Sequence, residues 1–135
     1  MTNPIFELEI KVRDYECDLQ GVVNNANYLH YLEHTRHEFL ETLGGNVMDM
    51  HNSGIDPFVS RIDVNYRTSL TSSDRFVSKL SIERKGPKLI FHQKIYRLPD
   101  NRLCVSAVVE TVIVKEGRLT RGEEFDQFFS KYYSE

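Results

Sequence analysis

The sequence has little that would send it into a membrane, out of the cell or onto nucleic acid. Its opening, MTNPIFELEI, has no basic cluster and no long apolar run, so neither an export signal nor a membrane span is expected. Only two cysteines occur, Cys17 and Cys104, far apart in the chain. Without an export signal they read as reduced thiols of a cytoplasmic protein. There is no basic excess: the formal net charge is −3 over 135 residues, which argues against a general nucleic-acid binder. Repeats, low-complexity tracts and linkers are also missing. What is present is 40% apolar and 27% charged residues, an ordinary balance for one domain spanning 1–135. A domain this small gains from self-association.

Hydrophobic periodicity divides the chain into elements. Phe6, Leu8, Ile10 and Val12 alternate with Glu7, Glu9 and Lys11, the pattern of a half-buried strand. Residues 14–27 are polar, with Gly21 near the middle, and read as a loop leading into a helix start. From Asn27 to Leu43 the period becomes helical: Tyr28, Leu32, Thr35, Phe39 and Leu43 form a stripe flanked by Leu29, Arg36 and Leu40, and Gly44-Gly45 ends it. Four strands follow, around 58–66, 74–83, 89–97 and 103–114. Turns at Lys85-Gly86-Pro87-Lys88 and Pro99-Asp100-Asn101 separate the later ones. A short tail helix carries Phe125, Phe128, Phe129 and Tyr132; these rings read as core or interface. The order strand, helix, four-strand meander and tail helix predicts an α+β fold, a curved antiparallel sheet around a central helix.

The chemistry concentrates between Asp14 and Glu33. Asp18 stands on a glycine-containing loop just ahead of a helix N-terminus. A helix start offers unpaired N–H groups and partial positive charge, which suit the oxyanion formed when a thioester carbonyl is attacked. A carboxylate beside it can attack the carbonyl or activate water. Asn24, Asn25 and Asn27 also suit helix capping. Cys17 adjoins Asp18, but no histidine accompanies it in the motif, so it reads as a small packed side chain.

This run resembles the signature of the 4-hydroxybenzoyl-CoA thioesterase family, D-x-D-x-x-G-x-V-x-x-x-x-Y-L-x-Y-x-E, at Glu16, Asp18, Gly21, Val23, Tyr28, Leu29, Tyr31 and Glu33. Val12 to Tyr28 is similar to the plant and cyanobacterial acyl-carrier-protein thioesterases related to methylketone synthesis. The resemblance implies a hot-dog fold and hydrolysis of acyl-CoA or acyl-carrier-protein thioesters, without metal or other cofactor. It implies Asp18 as the catalytic carboxylate, the Asn25 amide as oxyanion donor, and Glu33 as a group orienting water or substrate. Gly21, Asn24 and Tyr28 would line the thioester site. Sites at a dimer interface are implied, in a homodimer or homotetramer. Ser60, Arg61, Arg84, Lys85 and Lys88 become candidates for contacts to the pantetheine or nucleotide.

There are departures from the pattern. Glu16 replaces the first aspartate, and Asn24-Asn25 replaces an aromatic pair often found after G-x-V. Loss of those rings favours fatty acyl or β-ketoacyl chains over aromatic acyl groups. The larger plant acyl-carrier-protein thioesterases also carry an N-N pair, but their histidine falls on Val22 and their catalytic asparagine on Gln20, so their His–Asn mechanism is not available. A dehydratase would need a histidine near the helix start, and none precedes His30. A non-catalytic acyl-CoA-binding module is the alternative reading. His30, His34, His37 and Glu41 share one helical face; without the H-E-x-x-H order or an acidic loop they read as an exposed or intersubunit polar face rather than a metal site.

Overall fold

The computed structural model describes residues 3–134. Its central element is α1 (Asn25–Thr42), capped at its start by Asn24, whose side chain accepts from the Ala26 N–H at 2.9 Å. Two six-residue helices follow, α2 (Val47–Asn52) and α3 (Glu124–Phe129). The strands are β1 (Phe6–Lys11), β2 (Ile55–Tyr66), β3 (Arg75–Lys85), β4 (Lys88–Leu98), β5 (Arg102–Lys115) and the two-residue β6 (Arg118–Leu119). They form one antiparallel sheet in the order β1-β3-β4-β5-β2, with β6 added to β5. One sheet face packs against the helices, the layout expected of a hot-dog fold.

Three features differ from the sequence expectation. The meander holds for β3, β4 and β5, but β2 pairs with β5 at the far edge instead of with β3. The reason is the connection 67–74, which is a structural crossing rather than a turn. Its Leu70 is fully buried, donates its N–H to the Tyr28 hydroxyl at 2.9 Å and accepts from the Val23 N–H at 2.8 Å. The second difference is α2, hidden in the sequence behind Gly44-Gly45; Asn46 caps it by accepting from the Asp49 N–H. The third is a bulge in β2 between Val59 and Arg61. The extra residue inverts the alternation, so Phe58 sits opposite Val112 and Val59 opposite Thr111, and Phe58 no longer shares a face with Ile62.

The core has two lobes under the two halves of α1. Tyr28, Tyr31 and Leu32 pack with Phe76, Ile95 and Val105. Phe39 and Leu40 pack with Leu80, Phe91, Val109, Phe125 and Phe129. Between the lobes α1 is tied to the sheet by buried polar groups. The Thr35 and Ser78 hydroxyls meet at 2.7 Å. Gln93 on β4 donates to the Leu32 carbonyl at 3.0 Å and accepts from Arg36 at 3.0 Å. These satisfied groups fix where the helix sits along the sheet, a specification that hydrocarbon packing alone leaves looser.

Phe76 is fully buried and its ring centre lies 4.8 Å from that of Tyr31. Phe76→Ala is expected to cost about 3–5 kcal/mol, read as a lower midpoint in urea unfolding.

Candidate active site

The segment before α1 is held by one carboxylate. Glu16 closes a single 3-10 turn, Asp14–Glu16. One of its oxygens accepts from the Arg13 N–H at 2.7 Å and the Tyr31 hydroxyl at 2.9 Å. The other accepts from the Arg13 guanidinium at 2.7 Å. The Glu16 carbonyl in turn receives the Asn24 N–H at 3.0 Å and the Asn27 side-chain amide at 2.8 Å. Residue 16 therefore binds the loop to the first turns of the helix through both side chain and main chain. Burial pushes its carboxyl upward, but the donors from Arg13 and Tyr31 outweigh it and hold the group below its ordinary value. Tyr31 moves the other way: burial first, and its bond to Glu16 second, push the phenol up.

From Cys17 to Val23 the chain doubles back, with an antiparallel bridge between those two residues. The Asp18 N–H donates to the Val22 carbonyl at 2.9 Å and the Gly21 N–H to the Asp18 carbonyl at 3.0 Å. Gly21 has φ +81°, and a Cβ there would meet nothing within 4 Å. The glycine answers the left-handed backbone of this reversal, not a shortage of space.

Asp18 is half-buried. One of its oxygens accepts from the Gln20 N–H at 2.9 Å, and the Gln20 side chain, with its NH2 turned inward, lies 3.0 Å from both. Asp18, Asn25 and Tyr28 line one pocket of about 390 Å³, together with Tyr66 and Arg67. The Asn24 side chain takes the Ala26 N–H and its carbonyl the Asn27 N–H. The Asn25 N–H has no protein acceptor among the described residues. The pocket is thus bordered by a carboxylate residue and by the first residue of an 18-residue helix, whose start is its positive end. Gln20, Tyr66 and Arg67 were not singled out from sequence. Tyr66 and Arg67 come from the far end of β2, and only the crossover brings them here; its trace in the sequence is Leu70, an apolar residue in a polar connection.

Cys17 packs against the core beside this loop, and burial raises its thiol first, with Asp18 adding to the shift. It is held as a neutral thiol rather than a nucleophile. Burial likewise raises the Tyr28 phenol, so its hydroxyl stays protonated near neutral pH.

Other candidates lie elsewhere. Glu33 is exposed and does not line the Asp18 pocket; it borders a second cavity farther along α1 with Arg36 and His37. Two turns of helix separate it from the loop. Arg84 shares the helix-covered side of β3 with Phe76, Leu80 and Ile82. It donates to the Gly86 carbonyl and lies 3.5 Å from Asp126 on α3. On the outer side, Lys88 pairs with Glu110; that hydrogen bond first, then the charges of Arg61 and Lys85, hold the Glu110 carboxyl low. Arg61, Lys85 and Lys88 thus gather around one acid, while Ser60 donates to the Glu110 carbonyl at 3.2 Å. His30 contacts Asn27 at 3.1 Å and His34 lies 3.9 Å from Glu38. Among the described residues no group of three His, Cys, Asp or Glu is placed to hold a metal, and no helix is long and apolar enough to cross a membrane.

Comparison with known proteins decides the family. The model of the thioesterase-like superfamily matches residues 12–131. The chain belongs to the thioesterase-like superfamily. Among curated members, it is 40% identical over 102 residues to the acyl-acyl carrier protein thioesterase ATL3, chloroplastic, of Arabidopsis thaliana, covering 75% of this chain and 54% of that protein. The chain therefore spans about half the length of that thioesterase. It is 31% identical over 110 residues to the long-chain acyl-CoA thioesterase FadM of Escherichia coli, covering 80% of this chain and 82% of that one. In fold, the DHNA-CoA thioesterase of Staphylococcus aureus superposes with a TM-score of 0.79 at 24% identity, over 93% of this chain and 84% of that one. The hot-dog architecture of this thioesterase-like chain is shared with that structure.

The Glu16 contacts carry a pH signature. A carboxyl held below its unfolded value stabilises the fold fully above that unfolded value, and the contribution is lost as pH falls through the folded value. Glu16→Gln is expected to lower stability near neutral pH by about 1–3 kcal/mol. It should also flatten the decline of the thermal midpoint that sets in as pH falls below about 4.5, relative to the unaltered protein.

Proposed function

We propose that the chain is an acyl thioester hydrolase acting on acyl-CoA or acyl-carrier-protein substrates, with Asp18 as the reacting carboxylate. The observation that carries this reading is the pocket shared by Asp18 and the unpaired Asn25 N–H. The thioester carbonyl oxygen sits on the Asn25 N–H, where the helix dipole adds to the stabilisation of the oxyanion. Asp18 attacks the carbonyl carbon, or takes a proton from the water that attacks it. The tetrahedral intermediate collapses, the C–S bond breaks, and the thiolate leaves to be protonated as the free thiol; where water attacked, the acid is released at once, and where Asp18 attacked, a second water cleaves the acyl–Asp18 anhydride to the acid and the restored carboxylate. Gln20 holds one edge of the Asp18 carboxylate. Tyr28 lines the pocket around the carbonyl, while Gly21 and Asn24 shape the loop and the helix start beside it. Arg67 at its rim, and the outer cluster of Arg61, Lys85 and Lys88, supply positive charge for the phosphates of the carrier. The names of the Arabidopsis and E. coli relatives support both kinds of carrier.

The site is read as shared between two copies. Strand β2 is a bare edge of 12 residues, with Phe58, Val59, Ile62 and Tyr66 exposed along it. An edge this long and apolar calls for a partner strand, and Tyr66 links it to the pocket. Light scattering is expected to show a dimer or a larger even assembly. Val59→Asp combined with Ile62→Asp should shift it toward monomer and lower turnover together; a fully active monomer would overturn the shared site.

The central test is Asp18→Asn assayed against a panel of acyl-CoA and acyl-carrier-protein thioesters. A fall in kcat/KM of about 10²–10⁴ is expected, with the thermal midpoint little changed. Unaltered turnover would remove Asp18 from the chemistry, and tight binding without turnover in the unaltered protein would mark a binding module. Label found in the Asp18 carboxylate after a single turnover in heavy-oxygen water would establish direct attack, because general-base catalysis places label only in the released acid.

A further inference from the structure

The second cavity, of about 260 Å³, lies between the later turns of α1 and the inner face of the sheet. Its walls are largely hydrocarbon, from Leu40, Val47, Met50, Phe91, Phe125 and Phe129. The tail aromatics Phe125 and Phe129 thus serve both the core and this cavity. One part of the wall is a charge: Arg36, nine-tenths buried. A guanidinium has five N–H donors. The one side-chain hydrogen bond of Arg36 runs from Nη1 to Gln93 Oε1 at 3.0 Å. Its carbon lies 5.8 Å above the ring of Phe91, and it forms no ion pair with a carboxylate of the described residues. Burial lowers its ordinary basicity, and the charge of Glu33 partly restores it.

Gln93 is fully buried, and its own NH2 is spent on the Leu32 carbonyl. It holds the arginine in place without neutralising it. A buried cation with one neutral partner is costly. The unspent donors border a cavity otherwise suited to a hydrocarbon chain, an arrangement expected of a recognition group more than of a structural one.

The two cavities lie on one flank of α1. Asn25, Leu29, Glu33 and Arg36 follow a single stripe of the helix, and β2 accompanies it. The Tyr66 hydroxyl reaches the Asn25 carbonyl at 3.3 Å, and Val59, seven residues earlier, borders the second cavity. Arg36 is about 16 Å along the helix axis from Asn25. Building on the reading of Asp18 and Asn25 given above, we propose that the second cavity receives the distal part of a long acyl chain. Arg36 there binds an oxygen carried by that chain, as a hydroxyl, keto or carboxylate group. Oxygenated long-chain acyl thioesters are then preferred over plain ones of equal length.

The test is equilibrium binding to the whole chain of non-hydrolysable CoA thioethers of one long chain length, ending in a methyl, a hydroxyl or a carboxylate. The oxygenated ends are expected to bind about tenfold or more tightly than the methyl end, and the hydroxyl and carboxylate arms tell which oxygen is read. Arg36→Met should bring the ratio to about one, and Arg36→Lys should keep part of it. Equal affinity for all three ends in the unaltered protein, or a ratio that survives Arg36→Met, would overturn the proposal. Should Arg36→Met not fold, the comparison in the unaltered protein decides alone. Because the readout is binding, it separates the two readings. A clear preference in a protein whose turnover ignores Asp18→Asn would sink the role of Asp18 only, and a clear preference without any turnover would sink the hydrolytic assignment only; Asp18-dependent turnover without preference would sink the role of Arg36 only.

Discussion

The segment that leads into α1 depends on one buried carboxylate. Glu16 accepts three hydrogen bonds through its side chain and two through its carbonyl. Every donor belongs to a segment that must be positioned: the end of the β1 connection, the first turns of α1, and the cap residue. Cys17 and Val23 anchor the loop to the core, but its polar remainder has no hydrophobic reason to adopt one conformation. The carboxylate supplies the reason, and Asp18 inherits its place two residues later. Charge-assisted bonds suit this task because they are short and directional, and burial makes leaving them unmade expensive.

A second polar set does comparable work deeper in the fold. Ser78 and Gln93 rise from the sheet to meet Thr35, Leu32 and Arg36 of α1. A helix resting on hydrocarbon alone could slide by a fraction of a turn at small cost. Fixed hydrogen bonds at mid-helix set its register, and with it the alignment of the helix start on the loop and of the later turns on β2. The same Gln93 that seats the helix also leaves Arg36 with donors to spare, so the seating of α1 and the character of the second cavity are one feature.

Much of this was legible in the sequence where the signal is local. Asp18, Gly21 and the cap residue Asn24 lie within one short loop, and the turn and the helix start follow from residue type and spacing. Strand alternation and the Lys85–Lys88 turn gave β3, β4 and β5 within two residues at each end. What failed was non-local or turned on parity. Nothing in Val59-Ser60-Arg61 announces a bulge, yet that one residue exchanges the faces of Phe58 and Val59. Arg84 looked like a turn cation beside Lys85, but it falls on the helix-covered side of β3, where α3 claims it. Glu33 matched a signature by spacing along the chain, while its place on the helix carries it to the second cavity. Arg36 read as a flank residue of an amphipathic stripe; its burial depends on β4 contributing a glutamine, which no pattern within α1 records.

The bare edge of β2 has a consequence for the energetics of the whole sheet. If the second copy proposed above pairs there, its strand contributes a free energy that grows with the logarithm of its concentration. Resistance to unfolding then ceases to be a property of one chain and becomes partly a property of abundance. Dilution would weaken the fold from the β2 side first, at the strand that carries Tyr66 to the mouth of the Asp18 pocket.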